Sequence, residues 1–148
     1  MQNILSKYGE RIIELIKQSM IDNNRTTTGK TADSLRYEVS NENVLTIFGS
    51  PVLEALEFGR EPSSSSGGEG FFDELREWAT IKIDSSVTDS TVFAIYKKIN
   101  EQGFEGTDGL LSLPINQGVD ELNAELSAEL TQAYASKIAL EFKKGYKK

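Results

Sequence analysis

Carboxylates are the side chains with which this 148-residue sequence is best equipped to do chemistry. Seven of them fall within one short stretch, at Glu54, Glu57, Glu61, Glu69, Asp73, Glu74 and Glu77. Glu54 and Glu57 are three residues apart, so a helix would place them on one face, where paired carboxylates can bind Mg²⁺ or act as acid and base. Because the formal net charge of the chain is -7, we interpret them instead as a solvated helix face.

Histidine and cysteine are both absent from the sequence. Their absence excludes disulfides, thiolate zinc sites, cysteine nucleophiles and histidine-based triads or general bases. An enzyme that uses only Asp, Glu, Lys, Ser or Tyr remains possible. We expect no catalytic residue, no cofactor and no metal site, and therefore a protein that is not an enzyme.

Gly29-Lys30-Thr31 resembles the end of a phosphate-binding loop. That motif requires glycine five positions before Gly29, where this chain has Asn24, and it requires a buried strand leading in, where this chain has a helical pattern. We interpret the segment as a polar loop that turns into a strand through residues 31–34.

Length and composition favour one domain with a lean core. A chain of 148 residues is long enough for a single core, and its hydrophobic content of 38% suggests that neighbours complete part of the apolar surface. The acidic balance argues against a protein that wraps nucleic acid. No apolar run approaches the ~20 residues of a membrane span, and the first residues lack a signal-peptide pattern, so we expect synthesis in the cytoplasm.

Hydrophobic periodicity predicts an α+β fold in which long N- and C-terminal helices pack with a small antiparallel β-hairpin and short helices. Four-residue steps predict a first helix over residues 3–22 and the longest helix over 119–144. Alternation predicts strands over 35–40 and 44–48, joined by a turn at 41–43. A further helix is predicted over residues 71–83. Another is predicted to begin after an N-cap at Asp89 or Ser90 and to end at residue 102.

A short helix between these elements has both ends marked in the sequence. Ser50 can accept a bond from an unpaired backbone N–H, and Pro51 suits the first helical position. Gly59 can end the helix in a left-handed conformation, and Pro62 blocks its continuation. Two turns of helix cannot bury themselves, so larger elements must clamp them.

Two segments are predicted to be mobile loops, at about 61–70 and 103–118. The first has the Ser/Gly composition of a flexible linker. The second is long for a compact domain, contains the apolar run 110–115, and has Pro114 where a central strand would need a donor. Its apolar side chains either dock on a partner or are buried under the chain's own helices.

The order of these motifs resembles that of the neck or tail-completion proteins of tailed bacteriophages, also called head–tail connector or ring proteins. The resemblance covers roughly residues 23–103: a Thr/Gly loop, Ser34-Leu35 opening the hairpin, Leu56-Glu57-Phe58-Gly59-Arg60 at the end of the short helix, Trp78-Ala79, and the helix over 92–99 followed by Gly103. The chain lacks the proline that many relatives carry before the first glycine of the Thr/Gly segment.

The resemblance implies a single connector-like domain over residues 1–148 that assembles with itself into a 12-fold or 6-fold ring. Such a ring contacts the portal and neighbouring ring or tail proteins, and DNA passes through it without sequence-specific binding. It lies in the virion at the head–tail junction, after synthesis in the cytoplasm of the host bacterium. We expect a subunit interface formed by Glu57, Phe58, Gly59, Arg60, Phe71, Phe72, Leu110, Leu111, Leu113 and Ile115.

Two other functions stay open at this stage. One is a small intracellular adaptor domain that binds one protein partner, and the other is a metal-dependent hydrolase built on the carboxylates. A membrane partner is not expected.

Overall fold

A computed structural model describes residues 1–63 and 70–145, with side chains described as far as residue 135. Within these ranges the chain forms six helices and two strands, which confirms the α+β class. In chain order they are α1 (Gln2–Asp22), α2 (Lys30–Asp33), β1 (Arg36–Val39), β2 (Leu45–Phe48), α3 (Val52–Phe58), α4 (Phe71–Lys82), α5 (Asp89–Gln102) and α6 (Ser112–Gly145).

The two strands form an antiparallel hairpin that packs on α1. Arg36 lies opposite Phe48 and Val39 opposite Leu45, so the predicted antiparallel hairpin is present. A two-stranded sheet is marginal alone. It is stabilised here because Leu45 and Ile47 pack against the main core.

The main core lies between α1, the β-hairpin and α3. Its buried members are Ile12, Ile16, Met20, Ala32, Leu35, Leu53 and Leu110. The start of α3 lies one residue later than predicted: its N-cap is Pro51, not Ser50, although Ser50 Oγ accepts from the Val52 N–H at 3.3 Å. Gly59 follows the last helical residue as predicted, but its φ of 80° and ψ of -169° are not the left-handed helical conformation. The short helix is held by the main core, in which Leu53 is buried and against which Leu56 packs.

A second, smaller core joins α4 and α5 into a helix pair. Leu75, Ala79 and Val92 are its buried residues. The predicted cap of α5 was wrong by one residue: the N-cap is Thr88, whose side chain accepts from the Thr91 N–H, because Asp89 already lies in the first turn. Asp89 instead pairs with Arg76 of α4 at 2.9 Å.

The longest helix begins earlier than the sequence indicated, at Ser112 rather than Val119. The segment predicted as a mobile loop over 103–118 is therefore a loop only as far as residue 111. Pro114 misled the prediction, because proline is tolerated in the first turn of a helix, where its missing N–H would be unpaired anyway. The loop predicted at about 61–70 falls mostly outside the described residues.

The N-terminal half of α6 packs antiparallel on α1. Gly118 lies against Ile12, where an added Cβ would be 2.3 Å from Ile12 Cγ1, so any larger residue here requires Ile12 to shift. One turn further along α6, Glu121 pairs with Arg11 at 3.1 Å, and Glu125 pairs with Lys7 at 2.5 Å. Residues later in α6 contact residues earlier in α1, so the two helices are antiparallel. α6 therefore extends past the N-terminus of α1.

Beyond this contact the side chains of residues 127–135 are all exposed. We call residues 127–145 of α6 the arm. Among the described residues, no helix is long and apolar enough to cross a membrane.

Candidate functional site

The C-terminal end of α3 turns its two last side chains in opposite directions. Glu57 is 6% exposed, whereas Phe58, the next residue, is 76% exposed. Glu57 Oε1 accepts from the Ser112 N–H at 3.3 Å and from the Ser112 hydroxyl at 2.5 Å. Glu57 therefore caps the N-terminus of α6, where a negative charge is favoured by the helix dipole.

The chain after α3 crosses the loop that leads into α6 at very close range. A Cβ added to Gly59 would lie 2.5 Å from the carbonyl oxygen of Phe104. A Cβ added to Gly106 would lie 2.1 Å from the carbonyl oxygen of Glu57. Arg60 and Phe104 exchange both backbone hydrogen bonds, at 2.8 and 2.9 Å, and form an isolated antiparallel bridge. Glycine at both positions is thus needed for the two segments to touch.

Arg60 connects this crossing to the helix pair. Its guanidinium donates to the Asn100 side chain at 3.4 Å and lies 5.5 Å from the centroid of the Phe71 ring. Both contacts are within the chain. The expected place of Arg60 in a subunit interface stays a prediction.

Phe71 and Phe72 are half-buried against the helix pair. Their ring centroids lie 5.8 and 6.1 Å from that of Tyr96 on α5. The expected interface residues Phe71 and Phe72 therefore present only part of their surface to solvent.

The apolar run 110–115 is partly buried under the chain's own helices and partly exposed. Leu110 is 1% exposed and belongs to the main core, and Leu111 packs partly against it. Leu113, on the first turn of α6, is 68% exposed, and Ile115 is also exposed. Leu110 and part of Leu111 are thus buried under the chain's own helices, whereas Leu113 and Ile115 face solvent on either side of the buried Pro114.

The structure does not pair the carboxylates that are close in sequence. Glu54 is exposed, whereas Glu57 points inward to Ser112, so the two do not converge on one site. Within residues 1–63 and the described part that follows, no group of three acidic side chains is arranged to hold a metal ion.

A cleft of about 600 Å³ lies between the main core and the helix pair. Its apolar wall is formed by Met20 at the end of α1, Leu56 and Val52 on α3, and Phe71 and Trp78 on α4. The Thr26–Thr31 loop, singled out earlier for its Gly-Lys-Thr, lines the opposite side. Sequence reasoning missed this cleft, because its walls come from segments far apart in the chain.

Few polar contacts close the cleft at its rim. Lys30 forms a hydrogen-bonded ion pair with Glu77 of α4, which raises the pKa of Lys30. Arg25 Nε donates to Thr107 Oγ1 at 2.7 Å. Lys30 therefore contacts α4 across the cleft.

The arm carries exposed apolar side chains beyond the body of the protein. Leu130 is 54% exposed and Tyr134 is 65% exposed, and their spacing of four places them on one face of α6. At the base of the arm, hydrogen bonds from Lys7 and Tyr8 lower the pKa of Glu125, and the bond from Arg11 lowers that of Glu121. The arm thus leaves from a polar anchor on α1.

Comparison of the chain with protein-family models, with curated proteins and with solved structures finds no match in any of the three.

Proposed function

We propose that this chain is a ring-forming structural subunit of a tailed-bacteriophage neck, a head–tail connector or tail-completion protein through which DNA passes. The observation that carries the proposal is the exposure of Phe58. The resembling Glu-Phe-Gly-Arg segment uses Glu57 and Gly59 to build the subunit and leaves its phenylalanine in solvent. A large aromatic side chain held outward beside a rigid crossing is suited to a protein interface.

Other exposed side chains support an assembling subunit. Leu113 and Ile115 lie on the first turn of α6, and Leu130 and Tyr134 lie on the arm. These apolar surfaces are on separate parts of the chain, as a head-to-tail ring requires of each subunit. The net charge of -7 suits a channel wall that does not retain DNA.

In this proposal the partners are identical copies of the chain in a 12-fold or 6-fold ring, the portal, and neighbouring ring or tail proteins. The ring lies in the virion at the head–tail junction. It has no catalytic role.

The test is assembly of the full chain, alone and with the portal protein of the phage that carries the gene. Sedimentation and native mass spectrometry give the mass of each species, and negative-stain microscopy gives its symmetry. Closed rings, alone or on the portal, are the expected result. A chain that stays monomeric alone and does not bind the portal contradicts the proposal.

A small adaptor that binds one protein partner is the second candidate, and the cleft is the observation that favours it. A largely apolar cleft of about 600 Å³ is within the size range of binding sites for small molecules and side chains. The same experiment separates the two functions, since an adaptor forms no ring.

A further inference from the structure

The arm and the cleft lie at opposite ends of α1. The arm leaves the body beside Lys7, whereas the cleft is lined by Met20. Thirteen helical residues separate these two positions, which is about 20 Å at 1.5 Å per residue. Since α6 runs antiparallel to α1, the arm extends away from the cleft of its own chain.

The arm continues α6 beyond its contact with α1. Its nineteen residues span about 28 Å, and the side chains described along it, residues 127–135, are all exposed. Its exposed face, Leu130 and Tyr134, therefore offers apolar surface that can pack on another molecule.

We propose that the Leu130–Tyr134 face of the arm docks in the cleft of a second copy of this chain. The inference rests on the proposed ring function and names the contact that would build the ring. Every copy offers one arm and one cleft, and its own arm cannot reach its own cleft, so the contact is head-to-tail. Head-to-tail contacts between identical copies close into a ring when the rotation permits.

The cleft has the chemistry to receive this face. Its wall presents the exposed apolar side chains of Val52 and Trp78 and the half-buried side chain of Leu56. Glu129 is the one charged residue between positions 127 and 135 of the arm, and Lys82 at the cleft rim is a cation that can meet it. The rim also carries acidic side chains, so this charge pair selects the docking register and adds little affinity.

Two variants separate the two halves of the contact. The arm variant combines Leu130→Ser with Tyr134→Ser, and the cleft variant combines Val52→Glu with Trp78→Glu. All four positions are exposed apolar sites, so their replacement leaves the buried cores intact. Val52→Glu on its own is a second cleft variant. Circular dichroism verifies that each variant is folded.

Each variant alone should lose self-association, with the dissociation constant raised at least about tenfold, since each loses two apolar side chains from the contact. Mixed together, the arm variant and the cleft variant should form a 1:1 heterodimer and nothing larger, because one arm and one cleft remain intact. Trp78 is the only tryptophan in the sequence, and the cleft variant lacks it. The tryptophan fluorescence of the mixture therefore comes only from the cleft of the arm variant.

Cysteine pairing tests the contact directly, because the chain has no cysteine of its own. A Leu130→Cys chain mixed with a Val52→Cys chain should form a disulfide-linked dimer under mild oxidation. Thr131→Cys, one residue along the arm and about 100° around the helix, is the matched control and should link poorly.

Several results would overturn the docking. A cleft variant that assembles as the wild type does would indicate arm–arm pairing. An arm variant that forms normal rings would leave the ring function standing and place its contact elsewhere. If only the arm variant fails to join the portal, the arm docks on a different protein. A wild-type chain that forms no rings and ignores the portal would refute the ring function as well.

Discussion

The hydrogen bonds from Ser112 to Glu57 fix where α6 begins, so removing them should destabilise the whole chain. Glu57→Gln keeps an oxygen acceptor but loses the charge at the helix N-terminus, which is about 1 kcal/mol in a partly buried site. Glu57→Ala loses the cap as well, about 1 kcal/mol more, together with the packing of a buried side chain. We therefore expect losses of about 1 kcal/mol for the glutamine and about 2–3 kcal/mol for the alanine variant.

Urea unfolding, followed by Trp78 fluorescence and by circular dichroism, measures these differences. Glu54→Ala is the matched control, because Glu54 lies one turn earlier on the same helix and is exposed; it should change the free energy of unfolding by less than about 0.5 kcal/mol. A double-mutant cycle with Ser112→Ala isolates the coupling between the two side chains. If Glu57→Ala costs no more than Glu54→Ala, or if the coupling is zero, the capping role is refuted.

Three further predictions concern α6 and the end of α3. Hydrogen bonds from Lys7 and Tyr8 lower the pKa of Glu125, so their stabilising contribution is present above its ordinary pKa of 4.5 and is lost as the pH falls through the lowered value. The wild type should therefore lose more free energy of unfolding on acidification than Glu125→Gln does, and equal losses would contradict this linkage. Gly118→Ala should cost about 1–3 kcal/mol in urea unfolding, despite alanine's better helix propensity, because its Cβ meets Ile12; a more stable variant would show that the contact relaxes. Phe58→Ser should change the free energy of unfolding by less than about 0.5 kcal/mol but weaken ring assembly in sedimentation, and unchanged assembly would remove Phe58 from the proposed interface.

The fold could be predicted wherever the signal was local. Ser50 and Gly59 marked both ends of α3, and the alternation of Leu35, Tyr37 and Val39 marked β1. The start of α6 failed because Pro114 has two meanings. It forbids a central strand, but it also suits a first helical turn, and the contact with Glu57 decides between them.

The candidate site was less predictable, because its contacts join distant parts of the chain. Glu57 caps a helix that begins 55 residues later, and no periodicity links the two. The cleft similarly combines the end of α1, α3 and α4. One usable signal was present: Gly59, Gly103 and Gly106 bracket the two segments that cross, and such glycines indicate a close backbone approach.

The way in which the two cores are joined gives the proposed docking a structural consequence. Among the described residues, the buried members of the main core and of the helix pair are separate sets. The contacts that join the two parts include the Arg60–Phe104 bridge, the Arg60–Asn100 hydrogen bond and the Lys30–Glu77 ion pair. The ion pair is exposed and holds little free energy. In the proposed docking, a neighbour's arm would bury Leu56 and Trp78 at once and add apolar contact across the cleft. A subunit should therefore resist urea better inside the proposed ring than outside it.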